Sequence, residues 1–95
     1  YVIDKLPDPH PIFNLIQQRA PEPVRDEEMY ENFNMGVGFC LIVSPEEETG
    51  VLDVAARHGS AAMKIGYVTE DPDRTVRVEP VGLEGSKGKG FRKAA

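Results

Sequence analysis

The sequence predicts an α/β (α+β) domain in which helices flank a layered mixed sheet. Helical patterns alternate with apolar, β-prone stretches along the chain, which is typical of layered α/β architectures. Proline-rich connections and turn residues separate these stretches. With 95 residues the chain makes one domain at most. Because it starts with Tyr1 rather than Met, we expect an incomplete domain that is part of a longer protein.

The first third of the chain predicts one strand and two helices. Residues 1–4 (YVID) fit the end of a strand, and a proline-rich connection follows them. Pro11 suits a first helical turn, and the apolar residues after it share one helical face, which predicts a helix over 11–19. Asp26 is predicted to cap a short second helix that ends near Asn34.

The middle of the chain predicts a buried strand followed by a well-specified helix. Val37–Val43 has apolar residues on both faces, which is typical of a central strand covered on both sides. Ser44 can then act as N-cap, with Pro45 at the first helical position and Glu47 completing a capping box. Gly59 is suited to the position that follows the last helical residue.

The last third predicts two strands and a tail. Met63–Val68 is apolar enough for a strand, and Thr75–Val78 alternates polar and apolar residues as a half-buried edge strand does. Four glycines without any period follow. We therefore divide the chain into a domain at 1–83 and a flexible, basic, Gly-rich tail at 84–95.

Charge and cysteine content limit the function classes. The net charge is −5, and residues 1–83 carry 15 acidic and 7 basic residues, a balance that argues against binding to nucleic acid. The sequence has no apolar run long enough to cross a membrane. Cys40 is the only cysteine and is predicted to be a small buried residue in a reduced protein. With only His10 and His58 beside it, a zinc site is not expected.

The segment MYENFNMGVGFCLIV at 29–43 carries the strongest functional signal. Gly36 and Gly38 can adopt backbone angles closed to other residues and allow another group to approach the main chain. Main-chain N–H groups at such a junction suit a phosphate or a developing oxyanion. The alternative is a tight turn followed by a strand that packs closely on a neighbouring backbone.

This segment and its flanks, PIFNLIQQ, DEEMYENFNMGVGFCLIVSPEE, VLDVAARHG and MKIGYV, resemble the C-terminal part of aminoimidazole ribonucleotide synthetase. This family is also called phosphoribosylformylglycinamidine cyclo-ligase. The likeness covers most of residues 1–80. The FNMGVG block argues against related selenophosphate and thiamine-phosphate enzymes of the same superfamily, which do not usually carry it.

The resemblance implies an ATP-dependent ring closure in purine biosynthesis, with a phosphorylated ribonucleotide as substrate, in a cytoplasmic homodimer. ATP and Mg²⁺ would be held by an N-terminal ATP-binding domain or subunit, and neither is expected to bind this chain alone. The residues support this division, because they show no phosphate loop, no paired acids set to hold Mg²⁺ and no nucleophile with a base. We therefore assign no catalytic residue and no metal ligand.

The expected substrate-binding residues are Asn34, Met35, Gly36 and Gly38, with the two glycine N–H groups facing a phosphate or the activated amide oxygen. The sequence departs from the family pattern at Glu31, where family members usually have Arg. A carboxylate there would repel phosphate. Either Glu31 points away from the cleft, or the chain is a non-catalytic relative that acts in oligomerisation or regulation.

Overall fold

The computed structural model describes residues 1–94 and shows three helices and a five-stranded mixed sheet. The helices are α1 (Pro11–Arg19), α2 (Asp26–Asn32) and α3 (Glu48–Arg57). The strands are β1 (Val2–Ile3), β2 (Gly66–Tyr67), β3 (Val76–Val78), β4 (Leu83–Ser86) and β5 (Gly90–Lys93). This architecture confirms the predicted fold class.

Strand β1 lies inside the sheet, whose order is β2-β1-β3-β4-β5. It pairs antiparallel with β2 and parallel with β3, and the remaining neighbours are antiparallel. The predicted strand at residues 1–4 is therefore confirmed. Strand β3 was expected at an edge, and that expectation is wrong, because β4 pairs with its other side. Strands β2 and β5 form the two edges instead.

Gly66 allows β1 and β2 to approach each other. A Cβ atom at this position would collide with the main chain of Val2 and Ile3. We expect Gly66→Ala to destabilise the fold by about 1–3 kcal/mol, since the obstructing atoms belong to backbone that cannot rotate away. Gly50→Ala is the matched control, because its Cβ would meet no atom within 4 Å and Gly50 lies in α3. In urea unfolding the control should be neutral or stabilising by up to about 1 kcal/mol.

The helices follow their sequence signals, but their caps differ from expectation. Helix α1 has the predicted bounds, and the exposed His10 caps it by accepting the Ile12 N–H at Nδ1, 3.1 Å away. The predicted caps of the other two helices are wrong. Arg25, not Asp26, occupies the N-cap of α2, and Ser44 makes no side-chain capping bond. A 3₁₀ turn at Pro45–Glu47 precedes α3.

The last residues form a hairpin rather than the flexible tail we expected. Strands β4 and β5 pair antiparallel around a turn in which the Lys89 N–H donates to the Ser86 carbonyl, 3.0 Å away. Glycines supply the positive φ angles that this path needs, with +77° at Gly88 and +59° at Gly90. The turn chemistry was present in the sequence, but β4 has too few apolar residues to reveal a strand.

The predicted central strand Val37–Val43 is not a strand in the structure. No regular secondary structure is assigned over these residues, and most of them are exposed. The expectation that Cys40 is buried is wrong for the same reason, since its side chain is exposed. A strand needs a neighbour for its N–H and C=O groups, and residues 1–94 supply none to this segment.

The core is small and lies between α2 and the sheet. Its buried apolar side chains among residues 1–94 are Met29, Met35, Val78 and Leu83, of which Met29 and Leu83 are fully enclosed. Met29 lies on α2, Val78 on β3 and Leu83 on β4, so the hairpin supplies part of the core. Among residues 1–94, no helix is long and apolar enough to cross a membrane.

A turn before β3 is organised by Asp71. Its carboxylate accepts the N–H groups of Asp73 and Thr75 at 2.9 and 3.0 Å. Hydrogen bonds from Thr75 and then Asp73 hold the pKa of Asp71 below its ordinary value. Because the folded pKa is depressed, stability present above the unfolded pKa should fall as the pH drops through the folded value. Acid titration by NMR should show this, and Asp71→Asn should remove that part of the pH dependence.

Candidate functional site

The glycine-containing loop 34–38 follows α2 and closes on itself in a tight turn. The Gly36 N–H donates to the Asn34 Oδ1 atom at 2.8 Å, and the Val37 N–H donates to the Asn34 carbonyl at 2.9 Å. Met35 and Gly36 have positive φ angles of +51° and +93°. The Asn34 side chain thus replaces a main-chain partner in the turn. Gly36 is needed because its φ strongly favours glycine.

This geometry changes the expected role of Gly36. Its N–H was expected to face a ligand, but it is already bound within the loop. Met35 is buried and belongs to the core, while Asn34 and Gly38 are exposed. The structure therefore brings the four predicted residues into one short loop and exposes three of them, although the Gly36 N–H is already bound within the loop. Their part in substrate binding remains a prediction.

Two hydrogen-bond donors of the loop belong to exposed residues and have no partner in the described part of the chain. The Gly38 N–H and the Asn34 Nδ2 group have no hydrogen-bond partner among residues 1–94. A Cβ atom at Gly38 would meet no atom within 4 Å, so its main chain is open to an approaching group. These donors can bind a phosphate or carbonyl oxygen, since such oxygens accept hydrogen bonds from main-chain and amide N–H groups.

Helix α1 supports the loop from one side. The rings of Phe13 and Phe33 pack edge to face with their centroids 6.2 Å apart. Phe13 also lies 4.0 Å from the position of a Cβ at Gly36. Phe33 directly follows α2, so this pair fixes the path by which the chain enters the loop. Edge-to-face aromatic pairs add about 0.5–1.5 kcal/mol beyond the area they bury.

Glu31 holds the hairpin against α2. Its carboxylate accepts the N–H of Phe91 on β5 and lies beside Gly90, where a side chain would collide with it. Near the other end of α2, Lys93 Nζ lies 3.9 Å from the Asp26 carboxylate. The charge of Glu31 is thus directed to the hairpin, which favours the first of the two explanations for the missing Arg. Sequence reasoning missed this role because it predicted no strand at Phe91.

We expect Glu31→Gln to loosen the hairpin. The substitution keeps the size of the side chain but removes the charge that strengthens its hydrogen bond to Phe91, which should lower the stability by about 1 kcal/mol. Amide hydrogen exchange at Phe91 should become faster. Glu22→Gln is the control, because Glu22 is exposed in the connection between α1 and α2. Equal exchange rates in both variants would contradict the role of Glu31.

The remaining candidate residues lie apart from the loop. His58 caps its own helix through a contact of 2.9 Å between Nδ1 and the Val54 carbonyl, and Glu48 pairs with Lys64 at 3.6 Å. Among residues 1–94, no group of three or more His, Cys, Asp or Glu side chains could hold a metal ion. Burial and, to a lesser degree, the carboxylate of Asp26 raise the pKa of Tyr30.

Two shallow hollows of about 290 and 310 Å³ occur elsewhere on the surface. The first lies beside the start of the chain and the acidic turn, and the second beside the turn of the hairpin. Loop 34–38 lines neither of them. Neither hollow is therefore formed by the loop. The described residues also provide no set of ligands suited to Mg²⁺ with ATP.

Comparison with known families matches residues 4–79 to the AIR synthase related protein, C-terminal domain. The chain belongs to the AIR synthase related family. The matched range contains all of α1, α2, α3 and loop 34–38, whereas β4 and β5 lie outside it. The hairpin held by Glu31 therefore lies beyond the residues that match the AIR synthase family.

Similar curated proteins are named phosphoribosylformylglycinamidine cyclo-ligase. They include those of Methanocaldococcus jannaschii, Methanopyrus kandleri and Methanococcus maripaludis (strain C7), which are 46%, 44% and 41% identical over 70 residues. Each match covers 74% of this chain but only 19% or 20% of the relative. The chain thus spans about a fifth of the length of these AIR synthase relatives. No solved structure matches it.

Proposed function

We propose that this chain is the C-terminal part of a phosphoribosylformylglycinamidine cyclo-ligase. In that enzyme, formylglycinamidine ribonucleotide is converted to aminoimidazole ribonucleotide in the cytoplasm, as a step of purine biosynthesis. The match of residues 4–79 to the family, together with 46% identity to a cyclo-ligase over 70 residues, carries the proposal. The chain alone is inactive, because it supplies only one wall of the site.

Loop 34–38 is the proposed substrate-binding element. Gly38 N–H and Asn34 Nδ2 donate hydrogen bonds to the phosphate or to the amide oxygen of the ribonucleotide. Gly36 and Met35 act indirectly, since Gly36 lets the turn close and Met35 anchors it in the core. Fixed donors of this kind stabilise negative charge without having to reorganise during the reaction.

The rest of the enzyme must supply the phosphoryl chemistry. ATP activates the amide oxygen for ring closure, and the residues that bind ATP and Mg²⁺ belong to the upstream ATP-binding domain. The described residues fit no such site. We further propose that the complete enzyme is a homodimer. Within it, this chain binds and orients the substrate, and its apolar segments help to exclude water from the site.

A chimera tests the proposal. In it, the 70 matched residues of the Methanocaldococcus jannaschii cyclo-ligase are replaced by those of this chain. We expect ATP-dependent formation of aminoimidazole ribonucleotide by the chimera and none by the 95-residue chain. A folded chimera without activity would contradict the proposal and would favour the alternative of a non-catalytic module that acts in oligomerisation or regulation. The unmodified relative is the positive control.

A further inference from the structure

We infer that Val37–Val43, called here the interface segment, is a strand that forms only when the upstream part of a cyclo-ligase polypeptide pairs with it. The partner is the portion of the enzyme that this chain does not match. The inference rests on the proposed function for the identity of that partner. The exposure of the segment and its lack of hydrogen-bond partners do not depend on the proposed function.

The interface segment exposes apolar side chains that a folded protein normally encloses. Phe39 is 85% exposed, Ile42 70% and Leu41 61%. They follow one another in sequence and thus form a continuous apolar stretch rather than scattered single residues. Contiguous exposed apolar surface of this kind marks interaction sites.

The main-chain N–H and C=O groups of the segment are available for pairing with another strand. From Gly38 to Val43, no N–H or C=O group has a hydrogen-bond partner within residues 1–94. No residue from Val37 to Val43 has a positive φ angle, which is compatible with an extended conformation. As a strand, the segment would place Phe39 and Leu41 on one face and Cys40 and Ile42 on the other. Both faces are apolar, so a partner would have to supply more than a single strand.

The surface of the whole molecule is larger than a self-contained fold requires. Its accessible area is 7461 Å². A compact protein of 10.5 kDa would expose about 5,400 Å². The excess, about 2,000 Å², is enough for one side of a permanent interface, since such interfaces bury about 2,000–5,000 Å² over both partners. The radius of gyration, 15.1 Å, also exceeds the value of about 12 Å for a compact chain of this length.

Two observations favour the upstream cyclo-ligase polypeptide over a second copy of this chain. In the relatives, the matched residues make up only 19% or 20% of a much longer polypeptide, so the surface needed to cover the segment exists there. Two copies of this chain would each carry a net charge of −5, which opposes their association.

Hydrogen exchange tests the inference. The amides of 38–43 should exchange rapidly in the 95-residue chain, because they lack partners, and at least about tenfold more slowly in the chimera. If the chimera does not fold, the upstream part of the Methanocaldococcus jannaschii relative is added to the 95-residue chain and the same amides are followed. Rapid exchange in every sample that contains the upstream polypeptide would overturn the inference. Protection that rises with the concentration of the chain alone would overturn the assigned partner and indicate a second copy.

A pair of matched variants locates the contact. Leu41→Asp should weaken association between the 95-residue chain and the upstream polypeptide by at least about tenfold, because it places a charge in an apolar interface. Leu15→Asp is the control, since Leu15 is 47% exposed on α1, outside the segment. Equal weakening by both would contradict the location. Protection without activity in the chimera would refute the proposed function alone, and activity without protection would refute only this inference.

Discussion

We expect Asn34→Asp to lower the kcat/KM of the chimera by about tenfold to a hundredfold, chiefly by raising KM. The carboxylate can still accept the Gly36 N–H, so the turn is kept. The substitution replaces the donor Nδ2 with an acceptor and adds a negative charge beside the proposed anionic substrate. Loss of a hydrogen bond to a charged group costs about 1.5–3 kcal/mol, and 1.36 kcal/mol corresponds to a tenfold change in rate.

The control for this substitution is Asn14→Asp, which adds the same charge at an exposed position on α1. Its kcat/KM should stay close to that of the unsubstituted chimera. Asn34→Ala removes both the donor Nδ2 and the side-chain acceptor that closes the turn. Comparing it with Asn34→Asp, which removes only the donor, separates the two roles of the side chain. If Asn34→Asp were fully active and Asn34→Ala merely less stable, Asn34 would be a turn residue without a part in substrate binding.

Met29→Ala should be the most damaging core substitution on α2. Met29 is 0% exposed, and removing such a side chain costs about 2–5 kcal/mol through lost burial and the cavity left behind. A domain of 95 residues has a total stability of about 5–14 kcal/mol, so much of it would be lost. Neighbouring side chains should not compensate for this loss, because few others in the small core are buried.

Urea unfolding measures this effect, with Met63→Ala as the matched control. Met63 is 46% exposed and lies outside the helices and strands, so its truncation should change the free energy of unfolding by less than about 0.5 kcal/mol. A similar loss in both variants would show that α2 does not anchor the fold. The same experiment shows whether the unfolding transition stays cooperative. Loss of Met29 should also release β5 from α2, and separate unfolding of the hairpin would broaden the transition.

Local signals in the sequence predicted the positions of the helices well. Pro11 and the prolines after Arg19 bracket α1, and Gly59, with a φ of +72°, ends α3 as expected. The strands were harder to predict, because β1 and β2 have two residues each and exist only through their pairing. A two-residue strand leaves no periodicity to detect.

The prediction for Val37–Val43 failed for a different reason. Its apolar pattern describes a strand enclosed on both faces, but the partners for that strand are absent from residues 1–94. The pattern agrees with the inference that the segment becomes a strand when the upstream polypeptide pairs with it. The loop before it was located correctly from Gly36 and Gly38. Its internal hydrogen bond was not predicted, because an Asn side chain can bond to several nearby main-chain groups and the sequence does not show which one it takes.

We have proposed that loop 34–38 forms a wall of the substrate cleft. A crystal structure of the chimera with bound formylglycinamidine ribonucleotide would show the contacts of this loop with the substrate. We expect the Gly38 N–H or the Asn34 Nδ2 group to lie within about 3 Å of a substrate oxygen, while the Gly36 N–H stays bound to Asn34. A substrate held entirely by other elements, with loop 34–38 facing solvent or the protein interior, would contradict it.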